Sequence, residues 1–154
     1  MVINNVGIVH PQSLEEVELE KFDQVYDLNV RVAVQLVQAY VGNMKRQGWG
    51  RIVNVVSRAF YGASDRTSYG AAKGALIGLT HNWAIELAPF GITVNAISPT
   101  GTETEMLTEC YPEGSEGRKW LLSAIPLGRF GKSMEIAAGI EFLISEEADR
   151  KSVV

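Results

Sequence analysis

Apolar and small side chains recur three and four positions apart from Phe22 to Met44, which is the spacing of one face of an α-helix. Asn29 falls on the same face, where a buried amide must find hydrogen-bond partners or cost stability. Two roles fit Asn29: it caps a buried carbonyl, or it interrupts the helix locally and holds a water molecule in a proton relay. The pattern predicts one long helix whose stripe contains Val25, Tyr26, Val32, Ala33, Leu36, Val37, Tyr40 and Met44.

Two runs rich in β-branched residues predict buried strands. The first run, Ile52 to Val56, follows a glycine-bracketed turn and ends at Ser57. The second run extends from Ile92 to Ser98 and is stopped by Pro99. Runs without polar alternation are typical of strands that helices cover on both faces. Strands that alternate with helices predict an α/β fold with a parallel sheet.

A second helix is predicted from Thr67 to about Phe90, with Gly91 as its C-terminal cap. Gly70, Gly74 and Gly78 repeat every four residues inside it and lower its helix propensity. We therefore expect a groove where another helix or a cofactor approaches closely. The large apolar face of this helix contains Leu76, Leu79, Trp83, Ala84 and Leu87.

The C-terminal third of the chain has a weaker pattern. Thr100 to Gly117 is rich in Thr, Glu and Gly, which predicts a mobile flap more than a packed element. Trp120 to Ile125 predicts a short helix. Ser133 is a plausible N-cap of a last helix. The residues of that helix expected to point inward are Ile136, Ala137, Ile140, Phe142 and Leu143.

Composition fits a single globular domain and disfavours nucleic-acid and membrane partners. Of 154 residues, 46% are apolar and 21% charged, and the net charge is -4. This balance offers no basic surface for phosphate backbones or anionic lipids. The sequence has no run of about 18 apolar residues and no signal-peptide pattern, so a cytoplasmic location is expected. Cys110 has no neighbouring His and is expected to be a bystander thiol, and no metal site is expected.

Tyr69 and Lys73 are the first candidates for chemistry. Their spacing of four puts both side chains on one helical face, where an ammonium favours the phenolate and makes Tyr a usable acid or base. The pair alone is common on solvated helices. Ser57 strengthens the case, because it ends a buried parallel strand at the edge where open α/β sheets bind ligands, although a plain strand-end cap also fits it. Near the first residue, Asn5 and Gly7 suit close approach of the backbone to a ligand, or a simple turn.

Several motifs resemble the short-chain dehydrogenase/reductase family in its single-domain subgroup, from Met1 to Ala148. They match the family in order and spacing, and the combination is far more specific than any single motif. One departure is Thr100, which stands where the family usually has Gly, with Gly101 following. The matching strings are NNVG at 4–7, LNV around Asn29, RIVNVVS at 51–57, YGAAK at 69–73, GITVNAISP at 91–99 and IPLGRFG at 125–131.

The resemblance implies a role for each matching residue. Tyr69 would be the general acid or base, Lys73 would hold the nicotinamide ribose and lower the pKa of Tyr69, and Ser57 would orient the substrate carbonyl. Asn29 would complete a proton relay. The cofactor, NAD or NADP, would lie against Asn5, Gly7, Tyr69, Lys73, Thr102 and Thr104, with 105–128 forming a flap over a small carbonyl or alcohol substrate.

The resemblance also implies a particular architecture. The expected fold is the C-terminal part of a Rossmann-type doubly wound parallel sheet, without the first three βα units and the last strand. Those units correspond to on the order of 90 residues and would carry the glycine-rich pyrophosphate loop, which has no counterpart in this sequence. A homodimer or homotetramer is expected, paired through the helices that begin near Phe22 and Thr67.

The expected domain is residues 1–148, and residues 149–154 form a predicted non-native tail. The tail reads DRKSVV, which the sequencing-adapter DNA GATCGGAAGAGCGTCGTG encodes.

The function expected for the whole protein is hydride transfer between a nicotinamide cofactor and a carbonyl or secondary alcohol, with a leaning toward 3-oxoacyl-carrier-protein reductase chemistry. The fragment alone is expected to be inactive. An epimerase or dehydratase on the same fold is one rival, but its usual second domain has no room here. A non-catalytic binding or regulatory protein that keeps the fold is the other rival.

Overall fold

A three-stranded parallel sheet forms the centre of the molecule in the computed structural model, which describes residues 1–149. The strands are β1 (Val2–Asn4), β2 (Gly50–Val55) and β3 (Ile92–Ile97), in the spatial order β1-β2-β3. Val2 pairs with Ile52, and Ile52 pairs with Val94. Both predicted runs are strands, so the expected α/β architecture with a parallel sheet is confirmed.

Long helices cover one face of this sheet. They are α2 (Val32–Gln47) and α3 (Thr67–Leu87). Helix α1 (Leu19–Tyr26) packs against α3, and a 3₁₀ turn, Ala88–Phe90, extends α3. Gly48 and Gly91 end α2 and this 3₁₀ turn in the left-handed conformation that glycine adopts without strain. The core between helices and sheet contains Val2, Val37, Met44, Ile52, Ala84, Leu87, Ile92 and Val94.

The helix predicted from Phe22 begins at Leu19 and contains a π-helical turn, Asp27–Arg31, between α1 and α2. Asn29 lies in this turn and is buried. Its Nδ2 donates hydrogen bonds to the carbonyl oxygens of Val25 at 2.8 Å and Ile8 at 2.9 Å. Asn29 therefore caps buried carbonyls at the point where the helix is locally interrupted, and it ties the loop after β1 to the helix.

A chain of hydrogen bonds between buried polar side chains runs along the face of the sheet that α2 and α3 cover. Asn4 Nδ2 donates to Asn54 Oδ1 at 2.7 Å, Asn54 Nδ2 donates to Thr80 Oγ1 at 2.8 Å, and Thr80 Oγ1 donates to the Leu76 carbonyl at 2.7 Å. These bonds join β1, β2 and α3. They hold the carboxyl ends of two strands against the helix that carries Tyr69 and Lys73.

The segment predicted as a mobile flap contains helices, so the expectation that it lacks packed elements is wrong, while its mobility stays a prediction. It contains α4 (Glu105–Cys110) and the start of α5 (Glu116–Ser123), which begins before the predicted helix at Trp120. Hydroxyl caps explain both helices, because Thr104 Oγ1 accepts from the Leu107 amide and Ser115 Oγ accepts from the Arg118 amide, each at 3.2 Å. A small separate core supports them, made of Leu107, Ile125 and Phe130.

The last helix, α6 (Ser133–Ile144), packs on β2 and β3 from the opposite face of the sheet. Its N-cap is Lys132, and not Ser133 as predicted, because the Lys132 amide donates to the Glu135 carboxylate at 2.7 Å. The predicted inward face is also wrong in part, since Ala137 and Phe142 are exposed while Ile136, Ile140 and Leu143 are half-buried. Ala137 lines a cavity beside the sheet.

The glycine stripe of α3 is covered at one end only. A Cβ on Gly70 would lie 3.1 Å from the Ala59 carbonyl oxygen, whereas a Cβ on Gly78 would meet open space. The predicted close approach is thus made by the turn after β2. The pairing of α2 and α3 between subunits stays a prediction.

Asp149 forms an ion pair with the buried Arg51 at 2.9 Å. The rest of the predicted non-native tail, 150–154, lies outside the described residues, and the tail stays a prediction. Among residues 1–149, no helix combines the length and apolar character needed to cross a membrane.

Candidate active site

A cavity of about 510 Å³ opens where the carboxyl ends of the strands meet the helices. This is the edge at which open parallel sheets bind ligands. Asn29 lies behind the cavity wall, buried in its π-helical turn. The other predicted site residues line the cavity: Asn5, Gly7, Ser57, Tyr69, Lys73, Thr102 and Thr104.

Ser57 and Tyr69 form the polar centre of this cavity. Ser57 directly follows Val56 at the end of β2, and its Oγ accepts a hydrogen bond from the Ala59 amide at 3.2 Å, so it caps the turn after the strand. The same side chain hydrogen-bonds Tyr69, in the first turn of α3. Burial raises the pKa of Tyr69, against the lowering effects of the Ser57 hydrogen bond and the Arg66 charge. The phenol is therefore protonated at neutral pH.

Lys73 is buried one helical turn beyond Tyr69. Its Nζ donates to the Val55 carbonyl at 2.9 Å and lies 5.5 Å from the centre of the Tyr69 ring. Burial lowers the pKa of Lys73 to about 8. The influences that lower the pKa of Tyr69 here come from Ser57 and Arg66, and the expected effect of Lys73 on Tyr69 stays a prediction. The ammonium is directed toward the end of β2 and beneath the ring.

An unsatisfied acceptor lies close to Lys73. Asn29 Oδ1 is buried and has no hydrogen-bond partner among the described residues. Gly7 faces both groups: a Cβ there would collide with Asn29 Oδ1 and would lie 3.5 Å from Lys73 Nζ. The absence of a side chain at Gly7 thus lets the loop after β1 pack directly on Asn29, close to Lys73. A buried acceptor without a protein partner suits a water molecule.

The loop after β3 forms the opposite wall. Thr102 Oγ1 donates to the Thr100 carbonyl at 3.1 Å, and Thr104 Oγ1 donates to the Thr102 carbonyl at 3.3 Å while it caps α4. Gly101 packs against the Phe130 ring so closely that a Cβ would lie 2.7 Å from Phe130 Cδ1. The loop therefore uses its glycine at position 101 to reach the core of the α4–α5 segment.

Two cationic residues of the cavity were not predicted from the sequence. Arg58 follows Ser57 directly, and Arg66 precedes Tyr69 by three positions as the N-cap of α3. The sequence carries one signal for them, their nearness to Ser57 and Tyr69 along the chain. Cys110 also lines the cavity, and burial raises the pKa of its thiol, which disfavours the thiolate.

Comparisons with known proteins agree with this architecture. A family model described as enoyl-(acyl carrier protein) reductase matches residues 1–151. The 3-oxoacyl-[acyl-carrier-protein] reductase FabG of Thermotoga maritima is 42% identical over 149 residues, which cover 96% of this chain and 59% of that protein. The corresponding FabG of Pseudomonas aeruginosa is 37% identical, with the same coverage. The chain thus spans about three fifths of the length of these relatives.

Solved structures give the same result. A crystal structure titled as a putative NAD(P) dependent gluconate 5-dehydrogenase from Beutenbergia cavernae, with bound NADP, superposes with a TM-score of 0.92 and 31% identity over 96% of this chain and 60% of that chain. A 3-ketoacyl-(acyl-carrier-protein) reductase from Brucella melitensis, complexed with NADH, gives 0.89 and 32% over 97% and 62%. The chain therefore belongs to the short-chain dehydrogenase/reductase family, as part of its Rossmann-type fold.

Proposed function

We propose that the whole protein transfers hydride between a nicotinamide cofactor and a carbonyl or secondary alcohol, with Tyr69 as the general acid or base. The observation that carries this proposal is the grouping of Ser57, Tyr69 and the buried Lys73 in one cavity at the edge of the sheet, with Lys73 Nζ 5.5 Å from the centre of the Tyr69 ring. A buried lysine with a lowered pKa beside a tyrosine and a serine, in a cavity at the ligand-binding edge of a sheet, is typical of an acid–base site.

The residues present fit the nicotinamide end of such a cofactor. Gly7 and Lys73 line the same part of the cavity, and Lys73 offers a hydrogen-bond donor there. Asn5, Thr102 and Thr104 would line the remaining contact surface. The bound cofactor would supply the hydride for reduction or accept it in oxidation. NAD and NADP are equally compatible with these residues, and the sequence contains no glycine-rich loop for the pyrophosphate.

In the direction of reduction, Ser57 would donate a hydrogen bond to the substrate carbonyl oxygen and orient it toward Tyr69. As hydride adds to the carbonyl carbon, the oxygen gains negative charge and the Tyr69 phenol transfers its proton to it, which yields the alcohol. The raised pKa of Tyr69 suits this direction, since the protonated phenol is the donating form.

Tyr69 must then recover a proton. Lys73, with a pKa of about 8, can release and regain a proton near neutral pH. The unsatisfied Asn29 Oδ1 on the far side of Gly7 would hold a water next to Lys73, so protons can reach the site from behind the cavity. Asn29 therefore has a positioning role, whereas Ser57 and Tyr69 contact the substrate.

A 3-oxoacyl thioester belongs in the substrate panel, because several relatives are named 3-oxoacyl-carrier-protein reductases. Another similar structure is titled as a gluconate dehydrogenase. Relatives of similar identity thus carry names for different substrates. We assign the choice of substrate to cavity residues outside the Ser57, Tyr69 and Lys73 set.

The test uses the protein expressed from its native reading frame, with NADH or NADPH oxidation measured against a panel of ketones. Tyr69→Phe should lower kcat by roughly 10²–10⁴-fold, the usual contribution of a positioned acid. Tyr40→Phe, at an exposed tyrosine on α2, is the matched control and should keep full activity. Unchanged turnover in Tyr69→Phe would refute the assignment. Partner binding without turnover in the unmutated protein would favour a regulatory role on this fold.

A further inference from the structure

The cavity has a charge composition unlike that of the chain as a whole. The sequence carries 18 acidic and 14 basic residues, yet the cavity is lined by Arg58, Arg66 and Lys73 and by no Asp or Glu in the described part of the chain. Lys73 is directed toward the Val55 carbonyl beneath Tyr69. The two arginines therefore represent positive charge that the proton transfer does not require.

Arg66 is the better placed of the two arginines for contact with a substrate. It is half-buried at the N-cap of α3, one helical turn before Tyr69. Its guanidinium donates to the Tyr111 hydroxyl at 3.1 Å and to the Asp65 carbonyl at 3.0 Å. None of the ion pairs among residues 1–149 includes Arg66 or Arg58. A half-buried guanidinium bonded to neutral oxygens alone is under-neutralised and attracts an anion.

Tyr111 provides a second donor at the same place. The Arg66 guanidinium lies 5.4 Å from the centre of its ring, and its hydroxyl accepts from Arg66, so the hydroxyl proton is available to donate elsewhere. Tyr111 is itself fixed, because Arg118 Nη1 donates to its carbonyl oxygen at 3.1 Å. Arg66 and Tyr111 thus join the start of α3 to the α4–α5 segment across the cavity.

We propose that Arg66 and the Tyr111 hydroxyl together bind a carboxylate of the substrate, so that the preferred substrate is an oxo acid and not a neutral ketone. This inference rests on the proposed function, which places the reacting carbonyl at Ser57 and Tyr69. The planar guanidinium matches a carboxylate through two parallel hydrogen bonds. Apolar side chains of the same cavity, Met106, Leu107 and Trp120, would contact the carbon chain of the substrate.

Occupation of this site would also influence the acid. The positive charge of Arg66 lowers the pKa of Tyr69. A bound carboxylate would neutralise that charge, and the Tyr69 phenol would hold its proton more firmly until the carbonyl oxygen gains charge. An anionic substrate would thereby reinforce the protonated form that reduction uses.

The experiment compares pyruvate, acetoacetate and levulinate with their methyl esters, in the protein expressed from its native reading frame. Dissociation constants come from calorimetry and turnover from NAD(P)H oxidation. At least one acid should bind more tightly than its ester. Arg66→Gln should weaken binding of that acid by about 10- to 100-fold, and Tyr111→Phe by about 2- to 10-fold, with ester binding unchanged.

Arg58→Gln is the matched control, since it removes an arginine from the same cavity and should keep the preference for the acid. Arg66→Lys should restore part of the binding that Arg66→Gln loses, which separates lost charge from a folding defect. Equal binding of every acid and its ester, equal weakening of both by Arg66→Gln, or loss of the preference in Arg58→Gln instead would overturn the proposal. Acid-selective binding without NAD(P)H turnover would reject the proposed function and leave the carboxylate site standing.

Discussion

Gly7→Ala adds one methyl group at the point where the loop after β1 meets Asn29 and Lys73. The backbone of Gly7 is not in the left-handed region, so alanine can adopt its conformation and the effect is purely steric. The new Cβ would collide with Asn29 Oδ1. Asn29 must then move away from the Val25 and Ile8 carbonyls, to which it donates at 2.8 and 2.9 Å.

The size of the effect follows from these contacts. Inserting a methyl group into a packed site costs about 1–3 kcal/mol, and each Asn29 hydrogen bond contributes about 0.5–1.5 kcal/mol. We expect Gly7→Ala to lower the free energy of unfolding by roughly 2 kcal/mol, measured by urea denaturation followed by circular dichroism. Activity should fall further, because the displacement moves Asn29 Oδ1, the atom proposed to hold the relay water next to Lys73.

Gly42→Ala is the control, since Gly42 is exposed on α2 and its Cβ would meet only the tip of Arg46 at 3.7 Å. This change should raise the free energy of unfolding by about 0.5–1 kcal/mol, as alanine favours a helix. Shortening Asn29 to Ala should remove the collision, so the losses from Gly7→Ala and Asn29→Ala should not add. A neutral Gly7→Ala variant, or strictly additive losses, would refute the arrangement described for Gly7.

Two further predictions concern buried polar groups. Because burial lowers the pKa of Lys73 from 10.5 to about 8, its protonated form destabilises the fold below about pH 8, and this cost disappears as pH rises toward 10.5. Relative to Lys73→Met, the unfolding free energy should therefore rise by on the order of 3 kcal/mol across that interval, and parallel pH curves for the two proteins would contradict the shift. Asn54→Ala should cost about 2–4 kcal/mol in urea denaturation, because it removes the acceptor for the buried Asn4 Nδ2 and the donor to the buried Thr80 Oγ1. A loss below about 1 kcal/mol would show that this chain of hydrogen bonds contributes little.

The strands and long helices were predictable because their signals are local. Ile52 to Val56 is β-branched throughout, apart from Asn54, and α3 ends at a glycine-capped turn, so each segment carries its own structural preference. The predicted cavity residues lie together for a related reason. Parallel strands place their carboxyl ends at one edge of the sheet, so Ser57, which follows β2, lies near the residues that follow β1 and β3.

The remaining features depend on contacts between segments distant in sequence. The helices α4 and α5 are too short to show a period, and they are fixed by hydroxyl caps and by packing on Phe130. The contact between Arg66 and Tyr111 depends on the position of α4, at whose end Tyr111 lies. The pKa of Tyr69 likewise depends on burial, which no spacing between Tyr and Lys along a helix can supply.

The π-helical turn at Asp27–Arg31 also changes the phase of the long helix. One additional residue in a turn rotates everything beyond it by about 100°. Before the turn, Val25 packs with Ala72 of α3; after it, Val37 and Met44 pack in the core against the sheet. The inserted residue therefore lets one continuous helix pack against α3 with one face and against the sheet with another. A uniform helix would have to use the same face for both contacts. The helix changes its packing partner at Asn29, the residue that also hydrogen-bonds the loop at the edge of the active-site cavity.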